Sequence, residues 1–135
     1  MSFARKPGSA LGYYNYAASY NVAADFLSEH GLRATHPAVP ASFLYYHTIE
    51  LYLKSVLRLH GVSAEELEKE YRHNYRKLRL QAEKHGLALG DTEREVFDLV
   101  ADGEVWIQAR YLKTGPLREP TLEGLRQTSS ALRIW

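Results

Sequence analysis

The sequence predicts an all-α protein, built as an up-and-down antiparallel bundle of four to five helices. Apolar residues recur at helical spacing through most of the chain, and residues that start or stop helices separate these segments. No segment alternates apolar and polar residues as a half-buried strand does, and no internal repeat is visible. A chain of 135 residues has the length of one domain, residues 1–135, and short connections favour antiparallel neighbours.

The first two helices are marked by apolar spacing and by the residues that end them. The first is predicted over residues 13–30, after a flexible arm over residues 1–10, and Gly31 ends it. The second is predicted over residues 40–60, with a proline in its first turn and Gly61 after its last residue. The apolar face of the first helix is expected to consist of Tyr16, Tyr20, Ala23, Ala24 and Leu27.

Capping signals mark the third and fourth helices. Ser63 followed by Glu66 is a capping-box pattern, which predicts a short third helix. The charge then changes from acidic to basic, and Asn74 is expected at the start of a fourth helix that ends near Gly86.

The last two helices are predicted from the same kinds of signal. Thr92 and Glu95 repeat the capping-box pattern and open a helix that Asp102-Gly103 interrupts or kinks, two alternatives that the sequence leaves open. A final helix, capped by Thr121, has an inward face formed by Leu122, Leu125 and Leu132.

Composition excludes several classes of protein. Seventeen basic and 16 acidic residues give a formal charge of +1, which argues against coating nucleic acid by bulk electrostatics. The absence of cysteine excludes disulfides, thiolate metal sites and cysteine nucleophiles. No apolar run is long enough for a signal peptide or a membrane span, so a cytoplasmic protein without membrane contact is expected.

The second helix has a row of polar side chains on one side of an otherwise apolar surface. At spacings of three, four and four residues, this row consists of His47, Glu50, Lys54 and Arg58. In one interpretation the row is a solvated stripe in which Glu50 and Lys54 form a helical ion pair. In the other it is the polar wall of a cleft or of a dimer seam, where it meets phosphate or a base.

The start of the fourth helix provides a second polar group. Two interpretations are open for His73 and Asn74. In one they form a helix start, where a polar side chain satisfies free backbone N–H groups. In the other His73 places an imidazole near Glu50 for hydrogen bonding or proton transfer. One helical face carries Arg72, Arg76 and Arg79. It is interpreted either as an exposed charged surface or as a strip that contacts phosphate.

Tyrosines are concentrated in the first two helices, and two roles are open for them. They either stack on nucleic-acid bases or pack in the core, and their helical spacing favours the core. These residues are Tyr13, Tyr14, Tyr16, Tyr20, Tyr45, Tyr46 and Tyr52.

Three segments resemble the HEPN domain, whose name stands for higher eukaryotes and prokaryotes nucleotide-binding. They are HTIELYLK at residues 47–54, HNY at residues 73–75 and the Arg110-Tyr111 pair in a late helix. The first helix, rich in tyrosine and alanine, is also similar. The resemblance covers roughly residues 10–115, and its most specific part is HTIELYLK followed by HNY.

The resemblance implies a bundle of four or five helices that is often dimeric. Many members act on RNA, as ribonuclease toxins paired with a minimal nucleotidyltransferase antitoxin or in defence systems. Catalytic members carry Arg, four to six residues, and then His. In this chain no His follows Arg110-Tyr111, and the formal match Arg79 to His85 is a pattern that chance produces readily, so these two residues are weak catalytic candidates.

The expected function is therefore RNA or nucleotide binding by a HEPN-like protein without an intact catalytic motif. The expected ligand contacts are His47, Glu50, Lys54, His73 and Arg110. The alternatives are a metal-independent endoribonuclease with His73 or His85 as the base, and a structural bundle that binds another protein. A homodimer is expected, with a nucleotidyltransferase as a further candidate partner. Neither a metal site nor a phosphate-binding glycine motif is found, so no cofactor is expected.

Overall fold

The computed structural model describes residues 8–103 and 120–133, with side chains described for residues 8–99 and 120–133. These residues form helices and no strand, which confirms the all-α prediction for this part of the chain. The elements in order are α1 (Ala10–His30), α2 (Ala38–Leu59), α3 (Ala64–Glu66), a π-helical turn (Leu67–Tyr71), α4 (Tyr75–Lys84), α5 (Asp91–Gly103) and α6 (Leu122–Arg133).

Helices α1 and α2 form an antiparallel pair. The Tyr45 hydroxyl donates to Asp25 Oδ1 at 2.6 Å near the α1–α2 connection. At the other end, Ser55 Oγ donates to the Ala10 carbonyl at 2.8 Å. Contacts that advance along α2 therefore move backwards along α1, as the short connection predicts.

Helix α4 runs in the same direction as α2. The Tyr75 hydroxyl donates to the Tyr46 carbonyl at 2.9 Å, and the His85 ring stacks on the His60 ring with centroids 4.8 Å apart. Helix α3 and the π-helical turn carry the chain back along α2 between these two contacts. The chain therefore reverses direction twice between the end of α2 and the start of α4.

Helices α5 and α6 complete the described fold. Arg94 lies 3.3 Å from Glu83, and Asp98 lies 3.5 Å from Arg79, so α5 runs antiparallel to α4. Helix α6 packs against α2 and α5 and buries Leu125 and Leu132. The inward positions predicted for the final helix are confirmed for these two leucines.

Helix α2 is the centre of the molecule. Every residue from Thr48 to Leu57 is buried, because α1, α4 and α6 each pack on a different part of its surface. The buried residues include Glu50 and Lys54, two charged side chains that rarely lie in a protein interior without a partner. This position decides how the polar row of α2 is interpreted.

The prediction for α1 was wrong in its start and in part of its face. The helix begins at Ala10, with Ser9 Oγ accepting from the Gly12 N–H at 2.9 Å, so the end of the predicted arm belongs to the helix cap. Tyr16 is 67% exposed and Tyr20 is 37% exposed, which places both outside the core. The buried stripe consists of Ala17, Asn21 and Ala24, mostly small residues that allow α1 to approach α2 closely.

Three of the predicted helix caps are confirmed. Ser63 accepts from the Glu66 N–H, Asn74 accepts from the Lys77 N–H, and Thr121 accepts from the Gly124 N–H, each at 3.0 Å. Because these caps are local contacts within four residues, they can be read from sequence.

The capping box predicted at Thr92 was wrong. Helix α5 begins at Asp91, and the Arg94 N–H donates to the Gly90 carbonyl at 3.1 Å, so Thr92 lies within the first turn. The same helix continues through Asp102 to Gly103, where its described part ends. None of the helices in the described ranges is long and apolar enough to cross a bilayer.

Candidate functional site

The candidate site is built around the buried carboxylate of Glu50. Glu50 is 3% exposed and lies in the middle of α2. Lys54 Nζ is 3.1 Å from one carboxylate oxygen, and His73 Nδ1 is 2.6 Å from the other. A buried carboxylate needs such partners because removing its charge from water is costly. Both oxygens are therefore engaged, one by an interior cation and one by a histidine at the surface.

Contact with Glu50 orients the His73 ring. A carboxylate can only accept hydrogen bonds, so Nδ1 carries the proton and Nε2 carries the lone pair in the neutral ring. The His73 side chain is 54% exposed, whereas its partner is buried. The arrangement is the one by which enzymes fix the tautomer and direction of a histidine used for proton transfer.

His47 lies one turn before Glu50 on α2. Its ring is half-buried and packs in a T-shaped arrangement with the Tyr20 ring, with centroids 4.6 Å apart and planes at 79°. Burial lowers the pKa of His47; the Glu50 carboxylate opposes this effect, and the charges of Lys54 and His73 add to it. His47 is therefore a neutral hydrogen-bonding group near pH 7 and does not act as a cation there.

A tight turn places His73 against Glu50. The Arg72 N–H donates to the Leu67 carbonyl at 2.8 Å and closes the π-helical turn. The Asn74 N–H then donates to the Tyr71 carbonyl at 2.9 Å, which makes residues 71–74 a β-turn with His73 at its second central position. Asn74 also caps α4, so the residue after His73 is held by its own backbone and side-chain bonds.

Tyr75 attaches this turn to α2. Its hydroxyl donates to the Tyr46 carbonyl at 2.9 Å, one turn before Glu50. Burial raises the pKa of Tyr75 well above 10.0, and the Glu50 charge adds to the effect. The phenol therefore stays a protonated donor over the whole range in which the protein is expected to work.

Arg58, the fourth member of the predicted row, is not part of the site. Its guanidinium donates to the Gly8 carbonyl and, at 2.9 Å, to the Val62 carbonyl. These bonds join the chain before α1 to the loop after α2. The structural interpretation therefore accounts for Arg58, while Glu50 and Lys54 are buried and do not form a solvated stripe.

The two weak catalytic candidates have separate partners. Arg79 Nη1 is 3.5 Å from Asp98, and its side chain is largely buried between α4 and α5. His85 stacks on His60, and no contact in the described ranges joins it to Arg79. The proposed arginine strip is also divided, because Arg72 lies in the turn whereas Arg79 pairs with α5. Arg110 and Tyr111 lie outside the described residues.

Sequence reasoning missed the stacked histidine pair. The rings of His60 and His85 lie 19° from parallel beside a cavity of about 420 Å³, which Val56, Leu87 and Ala131 also line. A signal was present in the sequence, since each histidine directly precedes a glycine that ends a helix. Both rings therefore sit at helix C-termini, and α2 and α4 end side by side.

The described residues contain no group of three or more His, Asp or Glu side chains that could hold a metal ion. The chemistry available at the Glu50 site is that of its own groups: an oriented imidazole, a neutral second imidazole and a buried ion pair. Comparison with family models, curated proteins and solved structures returned no significant match for the chain.

Proposed function

We propose that the protein is a HEPN-like RNA- or nucleotide-binding protein whose ligand contacts the surface above Glu50. The observation that carries this proposal is the buried carboxylate that holds an exposed histidine, His73, at 2.6 Å. A buried ion pair alone is weak evidence for stability, because its desolvation cost offsets its attraction. In this proposal the Glu50–Lys54 ion pair has a function beyond packing, because Glu50 directs a surface imidazole.

The residues around Glu50 suit recognition of a base and its attached phosphate. His73 and His47 supply donors and acceptors that match the edge of a base. The Tyr20 ring, exposed beside His47, supplies a face on which a base can stack. Lys54 is buried against Glu50, so in this proposal it neutralises the carboxylate and does not contact phosphate.

Binding of a labelled single-stranded RNA oligonucleotide, followed by fluorescence anisotropy in EDTA, tests the proposal. We expect His73→Ala to weaken binding about tenfold, the loss of one or two good polar contacts. His36→Ala is the matched control, since His36 is exposed in the connection between α1 and α2. Equal binding by wild type and His73→Ala, with both folded by circular dichroism, would contradict the proposal.

A second candidate function is metal-independent cleavage of RNA, favoured by the histidine–carboxylate pair itself. His73 would take the proton of a 2′-hydroxyl, and that oxygen would attack the adjacent phosphorus as the 5′-oxygen leaves. The products would be a 2′,3′-cyclic phosphate and a 5′-hydroxyl once the leaving oxygen is protonated. Cleavage in EDTA that is lost in His73→Ala and retained in His85→Ala is the expected result. Equal activity of both variants would exclude His73 as the base.

We also propose a homodimer formed through the exposed side of α1 and α2. The α1–α2 face is defined here as Tyr16, Tyr20, Val39, Phe43 and His47. Because Tyr20 and His47 are also proposed ligand contacts, the proposed ligand site borders this dimer seam. Its residues recur at spacings of four along each helix, and the Tyr20–His47 contact joins the two rows. Its four members other than His47 are exposed large apolar side chains, of the kind that mark protein interfaces when contiguous.

We also propose that the chain binds a separate partner protein. The HEPN resemblance suggests a minimal nucleotidyltransferase as the candidate. Co-purification of the natively expressed protein tests it. A stable complex that binds no RNA at low salt would favour the structural-bundle alternative over the RNA-binding proposal.

A further inference from the structure

We propose that Arg72 contacts the phosphate of the bound RNA or nucleotide and is retained for this purpose at a backbone position that favours glycine. The inference rests on the proposed function of the neighbouring His73. The backbone conformation of the turn is a separate observation from the His73–Glu50 contact.

Arg72 has an unfavourable backbone conformation. Its φ is 48° and its ψ is −117°, close to the values of about +60° and −120° at the first central position of a type II′ turn. The 2.9 Å bond from the Asn74 N–H to the Tyr71 carbonyl closes the same turn. Glycine is favoured at this position because a Cβ atom clashes with the backbone. Among the described residues Arg72 is the one non-glycine residue with positive φ.

Packing does not explain why an arginine occupies this position. The Arg72 side chain is exposed, and it makes no hydrogen bond or ion pair with any residue in the described ranges. Nearby lysines differ in this respect: Lys69 pairs with Glu65 at 2.6 Å, and Lys77 donates to the Glu70 carbonyl at 2.9 Å. The guanidinium of Arg72 is therefore available to a ligand, although the turn itself would form with less strain around glycine.

The groups around His73 indicate which part of a ligand the Arg72 guanidinium binds. Lys54 forms an ion pair with Glu50, so it does not supply a phosphate-binding cation beside the oriented His73 ring. Arg72 is its immediate neighbour in the chain. A guanidinium binds phosphate through two parallel hydrogen bonds, which a lysine cannot reproduce. Strained residues persist where the surrounding structure and function require them, which matches a binding turn.

Arg72→Gly separates the two effects of the residue. Relief of the strain should raise the Tm by about 3–5 °C. Loss of the guanidinium should weaken RNA binding about tenfold and reduce the dependence of log K on log salt concentration by about 0.7, the value for one phosphate contact to a single strand. Arg72→Lys keeps the strain and the charge, so we expect an unchanged Tm and an intermediate affinity. Arg33→Gly, an exposed loop arginine, controls for the loss of one positive charge.

The outcomes distinguish this inference from the proposed function. A higher Tm with unchanged affinity and salt dependence would overturn the role of Arg72 while leaving that of His73. A lower Tm would contradict the strain account. Weaker binding in Arg72→Gly but not in His73→Ala would support Arg72 and overturn the proposal for His73. Wild-type protein that does not bind RNA, or binding insensitive to both changes, would overturn both.

Discussion

Tyr52 and Tyr75 are both buried tyrosines of the core, and they differ in what their hydroxyl groups contact. The Tyr75 hydroxyl donates to the Tyr46 carbonyl, whereas the Tyr52 hydroxyl has no hydrogen-bond partner among the described residues. Burial raises the pKa of Tyr52 to about 12, consistent with an apolar environment that disfavours the phenolate.

The difference between the Tyr52 and Tyr75 hydroxyls gives a prediction about stability. Tyr75→Phe removes the hydrogen bond from the buried hydroxyl to the Tyr46 carbonyl and should lower the free energy of unfolding by about 1 kcal/mol. Tyr52→Phe removes an unsatisfied group and should change stability by less than about 0.5 kcal/mol, or increase it. Urea unfolding followed by circular dichroism measures both. An equal loss in the two variants would show that the Tyr52 hydroxyl makes a hydrogen bond in the folded protein.

His47 gives a prediction about acid pH. Its pKa in the folded protein lies below its ordinary value of 6.5. The unfolded chain therefore binds more protons below about pH 6.5, and the free energy of unfolding falls as the pH falls. We expect the wild type to lose more stability between pH 7.5 and pH 5.5 than His47→Gln does. The comparison uses the change in the free energy of unfolding of each protein between the two pH values. A difference in packing between the two proteins is present at both pH values and therefore cancels. Parallel losses would contradict the assignment.

At the scale of the elements, local contacts could be predicted and tertiary ones could not. The caps at Ser63, Asn74 and Thr121 depend on residues within four positions, and the sequence located all three. The buried side of α1 was displaced, since Tyr16 and Ala17 are adjacent on the helix and only the packing of α2 decides which faces inward. The π-helical turn depends on where the chain must return to α2, so no local signal marks it.

Asn74 gives the prediction at this scale. It caps α4 and follows His73, so Asn74→Ala should lower the free energy of unfolding by about 1 kcal/mol and also weaken RNA binding. Ser63→Ala removes an equivalent cap from α3 and is the matched control. We expect a similar loss of stability in the control without its effect on affinity. A similar loss of affinity in both variants would show that binding follows overall stability and not the position of the turn.

At the scale of the whole molecule, the order of the helices and half of the site follow from sequence. Spacing along α2 grouped His47, Glu50 and Lys54 with Arg58, and the proximity of His73 to Glu50 was one of two interpretations of the start of α4. Burial was not predictable from α2 alone. It changes Lys54 from a candidate phosphate contact into the interior partner of Glu50, because α1 and α4 both pack on α2.

The α1–α2 face gives the prediction for assembly. If the homodimer forms there, Phe43→Ser should convert a dimer into a folded monomer, as measured by sedimentation equilibrium at micromolar concentration. Leu80→Ser is the control, since Leu80 is similarly exposed on α4. A monomeric wild type, or equal dissociation by both changes, would contradict the use of this face.

We propose that Glu50 holds His73 at a ligand-binding surface. Selective labelling of the histidine rings and NMR during addition of single-stranded RNA tests it most directly. We expect the His73 and His47 ring signals to shift on addition of RNA, and those of the exposed His36 and of the His60–His85 pair to stay in place. Bound RNA that leaves the His73 signal unchanged, or that shifts the His60–His85 pair instead, would contradict it.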